Sequence, residues 1–359
     1  MTIHVDLAGR GYAVHVGRGL LAGLDRLVPW PDRARRAAVV TQAPVAAHHL
    51  SPVLQALERA GLTATVIEVP DGEGAKSAAV LASGWQQLAS IPLSRQDVVV
   101  ALGGGVVGDL GGFLAATWNR GVAVVQVPTT LLAQVDAAIG GKTGINLPHG
   151  KNLVGAFHQP LAVVADVDTL ATLGERERIE GFGEVVKYGF IRDPEILDLL
   201  EADLAAARNG SPELLEQLVR RSAAVKAAVV GADELEAGER AHLNLGHTYG
   251  HAVEALAGYG TVLHGEAVSI GIAVALRIGA ALQLHAPDLV DRFEALAVAL
   301  GLPIRGPRLD RDAVWATLAR DKKADDGVRF VLLEGLGRPV LRHVAPAVVD
   351  EAIEATREA

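Results

Sequence analysis

Five short apolar runs in the first half of the chain constrain its fold more than any other feature: AAVVTQ (37–42), ATVIEV (64–69), DVVVALG (97–103), VAVVQVP (122–128) and AVVADV (162–167). Runs of this length, rich in valine, read as strands. Helical stretches such as APVAAHHLSPVLQALERAG separate several of them. Strands that alternate with helices build a mostly parallel, doubly wound sheet. Ahead of them, TIHVDL and YAVHVG carry apolar residues at period two and predict an opening hairpin around a Gly-Arg-Gly turn. After about residue 168 the strand signal fades. Long Ala/Leu patterns at 176–190, 194–207, 211–231, 240–257, 265–284 and 287–300 predict helices instead. The expected architecture is therefore α/β plus all-α, with an α/β domain over 1–168 and an α-helical domain over 169–359.

A chain of 359 residues is long enough for two domains with separate cores. Its formal net charge of −9 argues against nucleic acid or an anionic membrane as the main partner. The absence of cysteine excludes disulfides and thiolate metal ligands, which is compatible with a cytoplasmic location. The N-terminal stretch MTIHVDLAGRGYAVHVG has acidic and glycine breaks where a signal peptide would need an apolar run. The longest apolar stretch, 268–284, is interrupted by Arg277 and reads as a buried core helix, not a membrane span. Basic residues are unevenly supplied: seven lysines stand against 26 arginines. Scarce lysines mark places where a compact ammonium is needed.

Two glycine-rich stretches point to phosphate. ALGGGVVGDLGGF places G-x-G-x-x-G at Gly103, Gly105 and Gly108, after a strand and before a helix. Glycines there let backbone amides approach a pyrophosphate at the helix N-terminus. The pattern departs from the dinucleotide fingerprint, because it follows a late strand and its acid, Asp109, is immediate instead of about 20 residues on. AIGGKTG (138–144) is not a P-loop, since Asp136 stands where the first glycine would be. With PHGKN it still forms a pair of Gly-rich loops carrying Lys142, Lys151 and Asn152, suited to anion contacts.

The stretch RAHLNLGHTYGH raises a different question. Arg240, Asn244, His247 and His251 are spaced four, three and four apart, which on one helix holds them within an arc of roughly 60°. A stripe normally reserved for apolar side chains is charge, amide and imidazole here. Without cysteine, a transition metal needs histidine and carboxylate. His247, His251, His264 (in LHGEA) and Glu184 (in GFGEVVKYG, three residues from Lys187) are the candidates, and two His with one carboxylate suit a catalytic zinc with an open position. The Glu of H-E-x-x-H is missing, which argues against a zincin protease. His149, His158 and His285 read as ordinary core or surface histidines.

Taken together, GGGVVGDLGGFLAATWNRGV, QVPTTLLAQVDAAIGGKTGINLPHGKNLVGAF, GEVVKYG, LNLGHTYGHAVEA, LHGEAV and RDKK identify a close resemblance over nearly the whole chain to the 3-dehydroquinate synthase family of sugar phosphate cyclases. The resemblance implies a Rossmann-like N-terminal domain that binds NAD, an α-helical metal- and substrate-binding domain, and an active site in the cleft between. It implies zinc (or cobalt) ligands at Glu184, His247 and His264, with His251 turned to the substrate. NAD contacts would fall on Asp71, Gly72, Glu73, Gly74, Ala75 and Lys76, on Gly105, Val106, Val107, Gly108 and Asp109, and on Thr129 and Thr130. They would also include Lys142, Lys151, Thr169, Leu170, Ala171 and Thr172. Substrate contacts would be Arg120, Asp136, Lys142, Lys151, Asn152, Lys187, Lys226, Arg240, Asn244, His251 and Lys322, with Lys151, Arg240, Asn244 and His251 catalytic. Gly112 and Gly183 depart from the pattern, standing where larger residues are common in such motifs.

The implied substrate, 3-deoxy-D-arabino-heptulosonate 7-phosphate, carries a carboxylate and a phosphate, which accounts for lysines and arginines lining a site in an acidic protein. The implied reaction of this shikimate-pathway lyase is transient oxidation by NAD, β-elimination of phosphate, reduction and aldol closure to 3-dehydroquinate, with the domains closing to exclude water. A cytoplasmic homodimer acting on a small anionic sugar phosphate, without nucleic acid or membrane, is expected. The alternatives are a sister cyclase of amino-dehydroquinate or valiolone type, or a metal-dependent polyol dehydrogenase.

Overall fold

The valine runs form the strands expected of them. In chain order the strands are β1 (Thr2–Val5), β2 (Tyr12–Gly17), β3 (Arg36–Gln42), β4 (Thr63–Val69), β5 (Val98–Gly103), β6 (Ala123–Pro128), β7 (Lys142–Leu147), β8 (Gly150–Phe157) and β9 (Ala162–Asp166). The computed structural model describes residues 1–258, 260–320 and 328–358. Seven of these strands make one sheet in the order β1-β2-β9-β6-β5-β3-β4, antiparallel only at β1–β2, where Thr2 faces His15 and Val5 faces Tyr12. The helices between them are α1 (Leu24–Leu27), α2 (Ala43–Arg59), α3 (Ala78–Ser90) and α4 (Gly105–Thr117).

The alternation along each strand shows why both faces are covered. Ala37, Val39, Val98, Val100, Leu102, Val125 and Val127 pack with Val53, Ala56 and Leu57 of α2. The intervening Ala38, Val40, Val99, Ala101 and Val124 pack with Leu81 and Leu88 of α3 and with Val107, Leu110 and Leu114 of α4. Successive side chains point to opposite faces, so an all-apolar strand needs cover on both. Counted from β3 onward, the five strands β4-β3-β5-β6-β9 run in the order 2-1-3-4-5, and the winding reverses between β3 and β5. Ligands of such sheets sit outside the carboxyl ends of the strands at that reversal. The glycine loop leaves the carboxyl end of β5, which explains why it follows a late strand.

The remaining helices are α5 (Glu175–Ile191), α6 (Glu195–Ala202), α7 (Leu204–Asn209), α8 (Pro212–Ala232), α9 (His247–Ala257), α10 (His264–Ala281), α11 (Asp288–Leu300), α12 (Arg311–Arg320) and α13 (Pro346–Ala355). Two compact units result: Met1–Gly174 with Leu215–Leu235, and Glu175–Leu214 with Glu236–Ala359. This division differs from a single boundary at 168, because most of α8 belongs to the first unit. In the second unit α10 is the core helix. Ile270, Ile272, Val274, Leu276 and Ile278 are each at most 2% exposed, and each such side chain contributes roughly 1.5–3 kcal/mol by leaving water. No helix among the described residues is long and apolar enough to cross a membrane.

Three local expectations are corrected. The pattern at 240–257 is not one helix: a 3-10 turn spans Glu239–Asn244, Gly246 is left-handed (φ 82°), and α9 begins at His247. A Cβ at Gly246 would lie 2.6 Å from the Val268 carbonyl oxygen, so α10 approaches too closely for a side chain there. The pattern at 194–207 breaks at Asp203, whose carboxylate accepts the Ala206 N–H at 2.8 Å and caps α7. The second half is also not purely helical, because β10 (Val328–Leu333) and β11 (Pro339–Val344) form an antiparallel hairpin.

Candidate functional site

In the second unit, three helices converge on one buried carboxylate. Glu184 on α5 is 0% exposed. Its Oε1 lies 3.5 Å from His247 Nε2 at the start of α9 and 3.6 Å from His264 Nε2 at the start of α10. Its Oε2 forms an ion pair with Lys187, one helical turn along and 1% exposed. Each imidazole is fixed from behind: His247 Nδ1 lies 3.2 Å from the Leu245 carbonyl oxygen, and His264 Nδ1 lies 3.2 Å from Glu254 Oε2. The approach of α5 to α10 that makes this possible depends on small residues. A Cβ on Gly183 would meet the Gly265 carbonyl oxygen at 2.3 Å, and one on Gly265 would meet the Glu180 carbonyl oxygen at 1.8 Å.

The donor set fits a divalent cation. The buried Oε1 of Glu184 accepts no hydrogen bond, while Oε2 is already paired with Lys187, so one buried carboxylate oxygen is left for a cation to complete. Ligand atoms of Glu184, His247 and His264 lie within 4.8 Å of one another. A tetrahedral centre with bonds of about 2.1 Å sets its ligands roughly 3.4 Å apart, close to the two spacings from Glu184. Burial holds the His247 pKa well below its usual value, reinforced by Lys187, His251 and His264, so this imidazole is neutral and offers a lone pair. Burial also acts to lower that of His264, but the carboxylates of Glu184 and Glu254 outweigh it and push the value up to about 10. That field attracts positive charge to this point. His251 is exposed, with its ring centroid 5.3 Å from that of His247.

The stripe residues ahead of α9 sit on the 3-10 turn. Arg240 is 1% exposed, and the Asn244 amide donates to Glu236 Oε1 at 2.7 Å. Glu236 itself is left-handed (φ 59°), a conformation uncommon for a non-glycine residue. Sequence reasoning missed Glu236, and no spacing signal reveals it, because an irregular turn brings it to Asn244. It also missed Glu254, although that residue follows His247 by seven and His251 by three, a spacing that places it on their helix face.

In the first unit, the loop after β5 forms a cradle. The amides of Gly105, Val106 and Val107 precede the first bond of α4, from Gly108 N–H to the Gly104 carbonyl. Side chains are excluded around it: a Cβ on Gly104 would lie 2.9 Å from Thr130 Cγ2, and one on Gly108 would lie 2.9 Å from Gln126 Oε1. Such a cradle fits the pyrophosphate of a dinucleotide. Beside it Lys76, 5% exposed, reaches Asp109 Oδ2 at 2.6 Å and Asn152 Oδ1 at 2.5 Å. Burial raises the Asp109 pKa, and Lys76 opposes that rise. Asn146, absent from the expectations, knits the group together by donating to Glu73 Oε1 (2.7 Å) and accepting the Asn152 N–H (2.9 Å).

Other expected residues are placed as follows. Asp136 lies in a single π-helical turn, Ala133–Ala137, and pairs with Lys226, which is 6% exposed. Thr129 is buried and donates its N–H to the Gly103 carbonyl at 3.0 Å, while the Thr130 hydroxyl accepts the Ala133 N–H at 3.2 Å. Thr169 is buried, its hydroxyl held by the Asp166 carbonyl and Gln134; Thr172 bonds His49 Nε2 at 2.8 Å. Asp71, Gly72, Gly74 and Ala75 flank Glu73 in a turn where Gly72 is left-handed (φ 79°). From residue 142 onward the expected loops are in fact part of the β7–β8 hairpin, whose register pairs Lys142 with Phe157 and Leu147 with Gly150. Lys142 and Lys151 are thus set at opposite ends of it. Arg120 is exposed and left-handed (φ 65°). Lys322 and Lys323 lie outside the described residues.

Comparison with known proteins agrees with these features. Residues 66–180 match the family described as 3-dehydroquinate synthase N-terminal, and residues 181–324 match 3-dehydroquinate synthase C-terminal. The chain is 46% identical over 364 residues to a 3-dehydroquinate synthase of Paracoccus denitrificans, covering 99% of each. It is similar to a crystal structure of 2-deoxy-scyllo-inosose synthase complexed with carbaglucose-6-phosphate, NAD+ and Co2+ (TM-score 0.90, 26% identity, covering 99% of this chain and 100% of that one). It is also similar to a 2-epi-5-epi-valiolone synthase from Streptomyces hygroscopicus with NAD+ and Zn2+ bound (TM-score 0.88, 28% identity, 96% of each chain).

Proposed function

The chain belongs to the 3-dehydroquinate synthase family, and from that premise we propose how its residues perform the reaction. It is a carbon–oxygen lyase that converts 3-deoxy-D-arabino-heptulosonate 7-phosphate to 3-dehydroquinate and phosphate. The steps are oxidation at C5, β-elimination of phosphate, reduction at C5 and intramolecular aldol closure. Bound NAD supplies a reversible hydride acceptor, and a bound zinc or cobalt ion supplies a Lewis acid for the C5 oxygen.

The chain does the rest. Glu184, His247 and His264 hold the ion, and Lys187 pairs with the Glu184 carboxylate beside it. The Gly105–Asp109 cradle, with Glu73, Lys76, Thr129 and Thr130, binds the dinucleotide. Lys142, Thr169 and Thr172 border the same site. Arg120, Lys151, Asn152 and Lys322 hold the phosphate while it departs. Asn244 and His251 steady the anion that forms when the proton next to the ketone is lost, and the leaving phosphate serves as its own base. Asp136, Lys226 and Arg240 orient the substrate hydroxyls and carboxylate. In this reading residues 1–168 form the nucleotide-binding part and 169–359 the metal and substrate part, and the enzyme works as a cytoplasmic homodimer with no nucleic acid or membrane partner.

The observation that carries the reading is the Glu184–His247–His264 centre in a chain matched end to end by this family. It is tested with substoichiometric NAD+, the heptulosonate phosphate and a chelator. Phosphate and dehydroquinate should form over many turnovers without net NADH, and chelation should stop the reaction until zinc or cobalt is restored. Accumulating NADH would indicate a polyol dehydrogenase instead.

A further inference from the structure

We propose that Glu254 is a positioning residue for the metal centre, fixing which nitrogen of His264 faces the ion. The inference rests on the metal site proposed above. Glu254 is 3% exposed, and its Oε2 lies 3.2 Å from His264 Nδ1, on the side of the ring away from Glu184. His264 Nε2 points the other way, 3.6 Å from Glu184 Oε1. A proton shared between Glu254 and Nδ1 leaves the lone pair on Nε2, the tautomer needed for ligation, and makes the imidazole a stronger donor. The two ligating histidines are therefore backed differently. His247 has a neutral carbonyl, that of Leu245, behind its Nδ1 at 3.2 Å, whereas His264 has a buried carboxylate. Glu254 also brings a second negative charge to a centre where Lys187 offsets the first. Its place on α9, one turn after His251, couples that helix to the first residue of α10.

The test measures Co2+ affinity by competition with a chromophoric chelator, the visible absorption of the Co2+ protein, and metal stoichiometry, in the parent and in Glu254→Gln. The parent should bind one ion. Glu254→Gln should bind it about 10–100-fold more weakly, with a shifted Co2+ spectrum. If Glu254→Gln does not fold, Glu254→Asp, which draws the carboxylate back by one carbon, gives the same reading with a smaller loss. A folded variant with the parent's affinity and spectrum overturns the inference. So does a parent that binds two ions where the variant binds one, which would make Glu254 a ligand of a second site through His251 and His264. A parent that binds no ion defeats the underlying metal-site reading, and this inference with it.

Discussion

Lys76 shows how much a single buried charge carries. It is held by Asp109 and Asn152 beside the glycine cradle, so Lys76→Met leaves a mostly buried carboxylate without its cation. Unfolding in urea should show a loss of about 3 kcal/mol, the lower end for a broken buried pair because Asp109 keeps 20% of its side chain exposed. Adding Asp109→Asn should restore part of that loss, since no charge is then left unpaired. Asp97 behaves differently. It is 2% exposed, yet N–H bonds from Arg35, Arg36 and Ser94 outweigh burial and hold its pKa below the usual value. A depressed carboxyl stabilises the fold above its unfolded value of about 3.9 and loses that contribution as pH falls through the lower folded value. Asp97→Asn should therefore cost about 1–3 kcal/mol at pH 7, and the gap to the parent should narrow below pH 4 in chemical denaturation measured across pH. At this scale the sequence was uneven in what it disclosed. Glu184 and Lys187 are three apart on one helix and read directly as neighbours, whereas Lys76, Asp109, Asn146 and Asn152 meet only because the turn before α3, helix α4 and the β7–β8 hairpin converge.

Elements are set here by close backbone approach as much as by apolar pattern. Gly183 lets α5 lie against the first turn of α10, so Gly183→Ala forces the two helices apart at the point where they present Glu184 and His264. The expected result is a loss of about 1–3 kcal/mol in stability and a weaker metal affinity in the same protein, read by thermal unfolding and by chelator competition. An Ala variant with unchanged stability and metal affinity would show that the contact is not needed. The same closeness explains what the sequence hid. Period-3.6 patterning ran through Asn244 and His247 without a break, but Gly246, packed against Val268 with no room for a side chain, is left-handed and divides the stripe into a 3-10 turn and α9. The β7–β8 hairpin was hidden for a related reason. Gly144, Gly150 and Gly155 made the segment read as loop, whereas a Cβ at Gly155 would lie 2.0 Å from the Thr143 carbonyl oxygen, so glycine is what lets the two strands pair there.

For the whole molecule, the sheet was the most legible part, because a strand covered on both faces must be apolar at nearly every position and AAVVTQ and DVVVALG are. The division into units was less so: Leu215–Leu235 is as Ala- and Leu-rich as its neighbours, and nothing in its pattern shows that it packs with the first unit. If oxidation at C5 is transient, the hydrogen taken up by NAD returns to the carbon it left. Substrate carrying deuterium at C5, turned over with unlabelled NAD+ in ordinary water, tests it directly by mass spectrometry and NMR of the product. The dehydroquinate should retain the label at the carbon derived from C5, with none in free NADH. Label lost to solvent, or accumulating in the nicotinamide pool, would contradict a transient oxidation.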